Sequence, residues 1–334
     1  MSDRSLATLA TVITVLLLMV VLVPAAAQAQ TTDTSSPLRT PWGHPDLQGL
    51  WDYRTITPLE RPEELAGKAI LTAEEAADLE QQAVDRIDQR ARPSAVRTEP
   101  LPVGGNVGSY NDFWFDRGVN VVSTRLTSLI VDPPNGRIPP LTPDGQRRVD
   151  VRAEARDRPA ASWEDRSLLE RCVTRGLPRL PGGYNQNLQI LQTPDHVVIL
   201  YEMMREARVI PLDGRPHLAD DIRLWHGDSR GRWEGATLVV ETMNVSPKAH
   251  FRGSAEGLHL VERFTRIDAD TLDHQVTIDD PLTFSQAWTA SIPLRQSQSQ
   301  MYEYACHEGN YGMEGILSGA RAEEANGTAP QGSR

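Results

Sequence analysis

Asp221–Thr242, DIRLWHGDSRGRWEGATLVVET, is the stretch whose reading decides the fold. Apolar and β-branched residues flank Asp228-Ser229-Arg230-Gly231, which predicts two β-strands closed by a hairpin turn with Gly231 in the left-handed position. From about Asn185 onward the same kind of segment recurs. LQILQT, HVVILYE, ARVIPL, DIRLWHG, RWEGATLVVET, HLVERFTRI, DTLDHQVTID, AWTASIPL and MYEYAC follow one another, most separated by Gly, Pro, Asn or Asp. In HLVERFT, Leu260, Glu262 and Phe264 share one face, and His259, Val261, Arg263 and Thr265 the other. So many successive antiparallel strands leave two exposed edges unless the sheet closes or folds over. The fold expected is therefore mainly β: a closed or nearly closed antiparallel barrel of lipocalin-like outline, with a sandwich as the alternative.

Residues 181–320 are the expected barrel domain, and 321–334 a disordered tail. Residues 30–180 are expected as an extended arm, short helices and loops packed on the barrel. PWGHPDLQGLWDYRT supplies the arm, with Trp42 and Trp51 buried. Thr72-Ala73-Glu74-Glu75 is a capping box that opens a helix ended by Pro93. Thr142-Pro143 caps a second helix, and Ser162-Trp163-Glu164-Asp165 starts a third that carries Leu168, Leu169 and Cys172.

The first residues, MSDRSLATLATVITVLLLMVVLVPAAAQAQ, join a charged start to an apolar run, Pro24 and an Ala-Gln-Ala site. This reads as a signal peptide, residues 1–29, with an uncleaved anchor as the alternative. The expectation is an exported protein, periplasmic or secreted, with no membrane span after cleavage. A formal charge of −11 repels phosphate backbones, which excludes nucleic acid as a partner class. Two cysteines in an exported chain are most simply a disulfide, Cys172 to Cys306; a free nucleophilic Cys306 beside His307 is the other reading.

His307 and Glu303 are four residues apart, with Glu308 adjacent, so the histidine gains a carboxylate to orient it as a general base. His226 and Asp228 sit on one strand face and, with Tyr304, are candidates for the matching acid. Tyr184 and Asn185 offer phenol and amide donors before the first barrel strand, and Trp225 and Trp114 offer aromatic walls, the latter in a cluster with Tyr110, Phe113 and Phe115. Arg263, with Arg252 and Arg266, is placed to meet a carboxylate. No HExxH, paired CxxC or carboxylate-rich loop points to a metal, and no GxGxxG or Walker loop to a nucleotide, so neither metal nor cofactor is expected. Ser229 and Ser254 lie outside any GxSxG.

The phrases PWGHPDLQGLWD, TSLIVDPPNGRIPPLT, WHGDSRGRWEGATLVVET and YEYACHEGNYGM together resemble a large family of exported bacterial proteins, across nearly the whole mature chain. That resemblance implies export and brings no activity with it. The family pattern has His-Asp where this chain has Arg205-Glu206, which weakens any mechanism needing a histidine there. The residues favour a small-molecule enzyme using cofactor-independent acid–base chemistry as isomerase, lyase or hydrolase. A binding protein for an apolar small molecule is the alternative, and a purely structural domain the third reading.

Overall fold

The computed structural model describes residues 38–90, 115–254 and 256–327. The expected signal peptide, the loop of 98–109, the cluster of Tyr110, Phe113 and Trp114, and the last residues of the expected tail lie outside them. Among the described residues no helix is long and apolar enough to cross a membrane.

The sheet is antiparallel and nearly closes on itself. Its strands are β1 (Gly49–Asp52), β2 (Ile130–Asp132), β3 (Asn187–Gln192), β4 (His196–Tyr201), β5 (Ala207–Pro211), β6 (Asp228–Glu234), β7 (Thr237–Met243), β8 (His259–Arg266), β9 (Thr271–Asp279) and β10 (Trp288–Gln296). They run in the order β5-β4-β3-β1-β10-β9-β8-β7-β6, with β2 on β10 beside β1. Pro293 falls between the residues of β10 that pair with β2 and those that pair with β1, so its missing N–H costs no ladder bond on that side.

Register stacks the inward residues in layers. Val240, Glu262, Val276 and Ala290 are consecutive cross-strand partners, as are Leu238, Phe264, His274 and Ile292. All eight are buried. Trp51, Ile190, Ile199 and Ile210 fill the interior from the other side, so it is a packed core rather than a cup. Each such apolar side chain contributes about 1.5–3 kcal/mol by leaving water. The alternation in HLVERFT is realised with the Leu260, Glu262 and Phe264 face inward.

Edges β5 and β6 meet through side chains. A Cβ on Gly231 would lie 2.7 Å from Leu212 Cδ2 and 2.9 Å from Ile210 Cγ2. Asp228-Ser229-Arg230-Gly231 is therefore strand, not turn. The hairpin closes at Gly235-Ala236, where Gly235 takes the positive φ that a two-residue connection needs. DIRLWHG forms no strand either: it crosses to the barrel end as a loop, with one isolated bridge from Leu224 to Val245.

Two strands come from before residue 181. Gly49–Asp52, inside the expected arm, is inserted between β3 and β10 with Trp51 fully buried. Helix α1 (Ala73–Arg90) starts on the predicted capping box: Glu75 N donates to Thr72 Oγ1 at 3.2 Å and Thr72 N to Glu75 Oε2 at 2.8 Å. Helix α2 (Pro143–Asp157) is capped by Thr142, which accepts from Gly145 N at 3.0 Å. At Trp163–Asp165 a single 3-10 turn stands where a longer helix was expected.

The predicted strand MYEYAC is irregular. Alternation alone cannot make a strand where no sheet edge is offered, and β10 already has partners on both sides. A third helix, α3 (Tyr311–Ala325), follows and runs into the stretch expected as tail, held by Arg321 donating to Ala160 O at 2.8 Å.

Candidate functional site

Inside the barrel lies a charged group that spans two of the inward layers. Arg208 Nη2 of β5 reaches Glu262 Oε2 of β8 at 2.7 Å, and Arg208 also donates to Tyr201 Oη (3.1 Å), Ser229 Oγ (3.1 Å) and Thr242 Oγ1 (3.0 Å). His274 Nε2 of β9 stands 3.3 Å from Glu262 Oε1, its ring stacked on Phe264 at 4.3 Å. Burial alone would raise the Glu262 carboxyl, yet Arg208 and His274 hold it below the ordinary range. Desolvating such ions costs several kcal/mol each, offset here by the Arg208–Glu262 pair and the Arg208 bonds to Tyr201, Ser229 and Thr242, while Arg208 Nε is left without a hydrogen-bond partner.

A second ionic group closes one barrel end. Arg179, buried, pairs with Glu206 and lies over the Tyr201 ring at 4.8 Å. Glu206 Oε1 lies 2.7 Å from His226 Nε2, which is also 3.0 Å from Thr174 Oγ1. Burial, then Arg179 and Arg208, push His226 down to about 3. Glu206 divides its oxygens, Oε2 to Arg179 and Oε1 to His226, and burial with the two arginines outweighs it to favour the neutral imidazole.

The segment after β10 straps this end. Cys306 is bonded to Cys172, with Cα atoms 5.7 Å apart, which realises the expected disulfide. Tyr302 N donates to Glu202 Oε1 at 3.4 Å, Glu303 pairs with Arg205, and Tyr304 stacks on Tyr184 at 6.5 Å. His226 and His307 thus lie at the same end, linked through Thr174, Cys172 and Cys306. His307, Glu303 and Glu308 are all exposed, and no hydrogen bond or ion pair joins His307 to either carboxylate among the described residues. Asn185 holds a positive φ in the loop before β3, and Trp225 is 41% exposed. Arg263 points outward and pairs with Glu234 at 3.0 Å. Trp114 lies outside the described residues.

Asp228 has a histidine partner other than its sequence neighbour. Its Oδ2 accepts from Leu218 N at 2.9 Å and lies 3.0 Å from His217 Nδ1, while Arg230 pairs with its Oδ1. His217 Nε2 is buried without a hydrogen-bond partner. His217 carries no motif in the sequence; the spacing paired Asp228 with His226 instead, and only the path of the loop before β6 brings His217 to it.

A substantial opening lies outside the barrel. About 680 Å³ is enclosed between α1, the residues after β1 and the loop 175–183. Its described lining holds four arginines, Arg86, Arg117, Arg175 and Arg252, and no acid. None of the four guanidinium groups has a carboxylate partner among the described residues, although the Arg175 backbone N–H donates to Glu206 Oε2 at 3.5 Å. Phe115, Leu129, Leu180 and Phe251 form apolar walls. Arg175 is held by Met203 Sδ at 3.3 Å and Leu180 O at 3.5 Å, and a Cβ on Gly182 would fall 2.5 Å from its guanidinium.

Fold and site together define a nearly closed, filled antiparallel barrel with an ionic interior and a cationic cleft on its flank. No protein-family model matches the chain, and comparison with curated proteins finds no match. Among the described residues no group of three or more His, Cys, Asp and Glu is placed to hold a metal ion.

Proposed function

We propose that this is an exported, non-catalytic binding module for a small organic molecule that carries an anionic group on an apolar body. One observation carries the reading: four arginines whose guanidinium groups have no carboxylate partner among the described residues line one cleft of a chain whose net charge is −11. Guanidinium groups suit carboxylates and sulfonates because they donate in a planar fork, and apolar walls add burial of the ligand's body. The packed barrel core supports a site on the flank rather than a ligand cup within the strands.

Calorimetric titration of the full chain with decanoate at low salt tests it. Saturable one-site binding is expected, about tenfold or more weaker in Arg117→Ala/Arg175→Ala, since a hydrogen bond to a charged group contributes about 1.5–3 kcal/mol. Absence of binding, or equal binding by the variant, overturns the reading.

A second reading keeps the cofactor-independent acid–base enzyme and moves its base to His217. Asp228 fixes the Nδ1 side of that ring and leaves Nε2 unpartnered, the orientation a general base requires. Burial of Nε2 places this reading second. His217→Gln retaining full turnover of any substrate found by metabolite screening would end it.

A further inference from the structure

A second cleft of about 590 Å³ adjoins the first, and Arg252 lines both. Arg252 sits at φ 48 in a tight turn closed by Phe251 and Ser254, whose backbone groups bond each other at 3.2 and 2.8 Å. A non-glycine residue in that left-handed region is strained, and the surrounding structure must sustain it. The turn places one guanidinium on the lining of both spaces.

The second cleft is also cationic. Its three acids are engaged: Glu164 pairs with Lys248 at 3.3 Å, Asp165 caps Ala161 N at 2.8 Å, and Glu170 caps Ser167 N at 2.8 Å. Arg152 touches only carbonyl oxygens, of Gly253 and Pro247, both at 3.4 Å. Burial and the neighbouring Arg152 push His250, on the same lining, down to about 4. The floor is apolar, formed by Val149 and Leu168.

We infer that the ligand of this flank is an elongated dianion, two acid groups joined by an apolar spacer, one end held in the first cleft and the other running past Arg252 to Arg152. The inference rests on the binding reading above and adds the ligand's second charge. A hydrocarbon spacer meets Phe251, Leu180 and Leu168 on the described linings of the two clefts.

The test compares decanedioate with decanoate, matched in length, by calorimetry on the full chain, and repeats both with Arg152→Gln. Decanedioate is expected to bind about tenfold or more tightly than decanoate, because its second carboxylate adds a charged hydrogen bond. Arg152→Gln should remove that advantage and leave decanoate affinity as it was, with an unchanged melting curve showing an intact fold. Decanoate bound and decanedioate no tighter, or an advantage that survives in Arg152→Gln, overturns this inference alone. Neither acid bound overturns the binding reading beneath it.

Discussion

Gly227 shows how tightly single residues are fixed where the loop enters β6. Its φ is +62, and a Cβ there would lie 2.3 Å from the Met243 carbonyl oxygen, a backbone atom that cannot swing away. Gly227→Ala is therefore expected to destabilise the fold by about 1–3 kcal/mol, read as a lower denaturation midpoint; a midpoint equal to wild type would contradict the close approach. His226 gives the pH counterpart. Its folded value of about 3 lies below the ordinary 6.5, so the unfolded chain takes up a proton that the folded chain refuses. Stability from this residue is present above pH 6.5 and is lost as pH falls toward 3, by about 2 kcal/mol at pH 5. The His226→Gln variant should lose less stability than wild type between pH 7 and 5, and the His226 ring resonances should remain those of a neutral imidazole at pH 5. A ring titrating above 6.5 would mean that Glu206, not burial, governs it.

Elements whose signal is local were legible in the sequence. The strands of HLVERFT and DTLDHQVTID, the capping box at Thr72 and Glu75, and the Thr142 cap all form where their residue pattern places them. What the pattern could not carry is partner choice. The turn expected at Asp228–Gly231 became strand because Gly231 is needed at the β5–β6 seam, a long-range fact, and Gly235 does the turning instead. MYEYAC alternates like a strand but finds no sheet edge, so it crosses the barrel end as a strap. The candidate residues divide in the same way: the Cys172–Cys306 pair was readable from the number of cysteines and the export expected of the chain, while His217 beside Asp228 and the meeting of four arginines depend on tertiary placement. The bond closes a loop of 134 residues, so Cys172→Ser/Cys306→Ser is expected to lose up to about 5 kcal/mol by the chain-entropy argument. The strap should be released first, seen as faster amide exchange over 302–310. A double variant with wild-type stability and exchange would show that the strap is held by its other contacts.

At the scale of the whole molecule the interior and the flank have exchanged the roles that a lipocalin-like outline suggests. The barrel is filled, with layers of apolar side chains around the Arg208, Glu262 and His274 group, and its seam is shut by side chains of β5 against Gly231. The openings lie on the flank, cationic on an otherwise acidic chain, a field that concentrates small anions there. Ligand binding should accordingly leave the strands unchanged and act on the loops. Hydrogen–deuterium exchange with and without saturating decanoate tests this most directly. Protection confined to the cleft-lining segments 54–59, 115–118, 175–183 and 251–252 is the predicted result, and protection of β7, β8 and β9 with none in those segments would place the ligand inside the barrel and contradict the account.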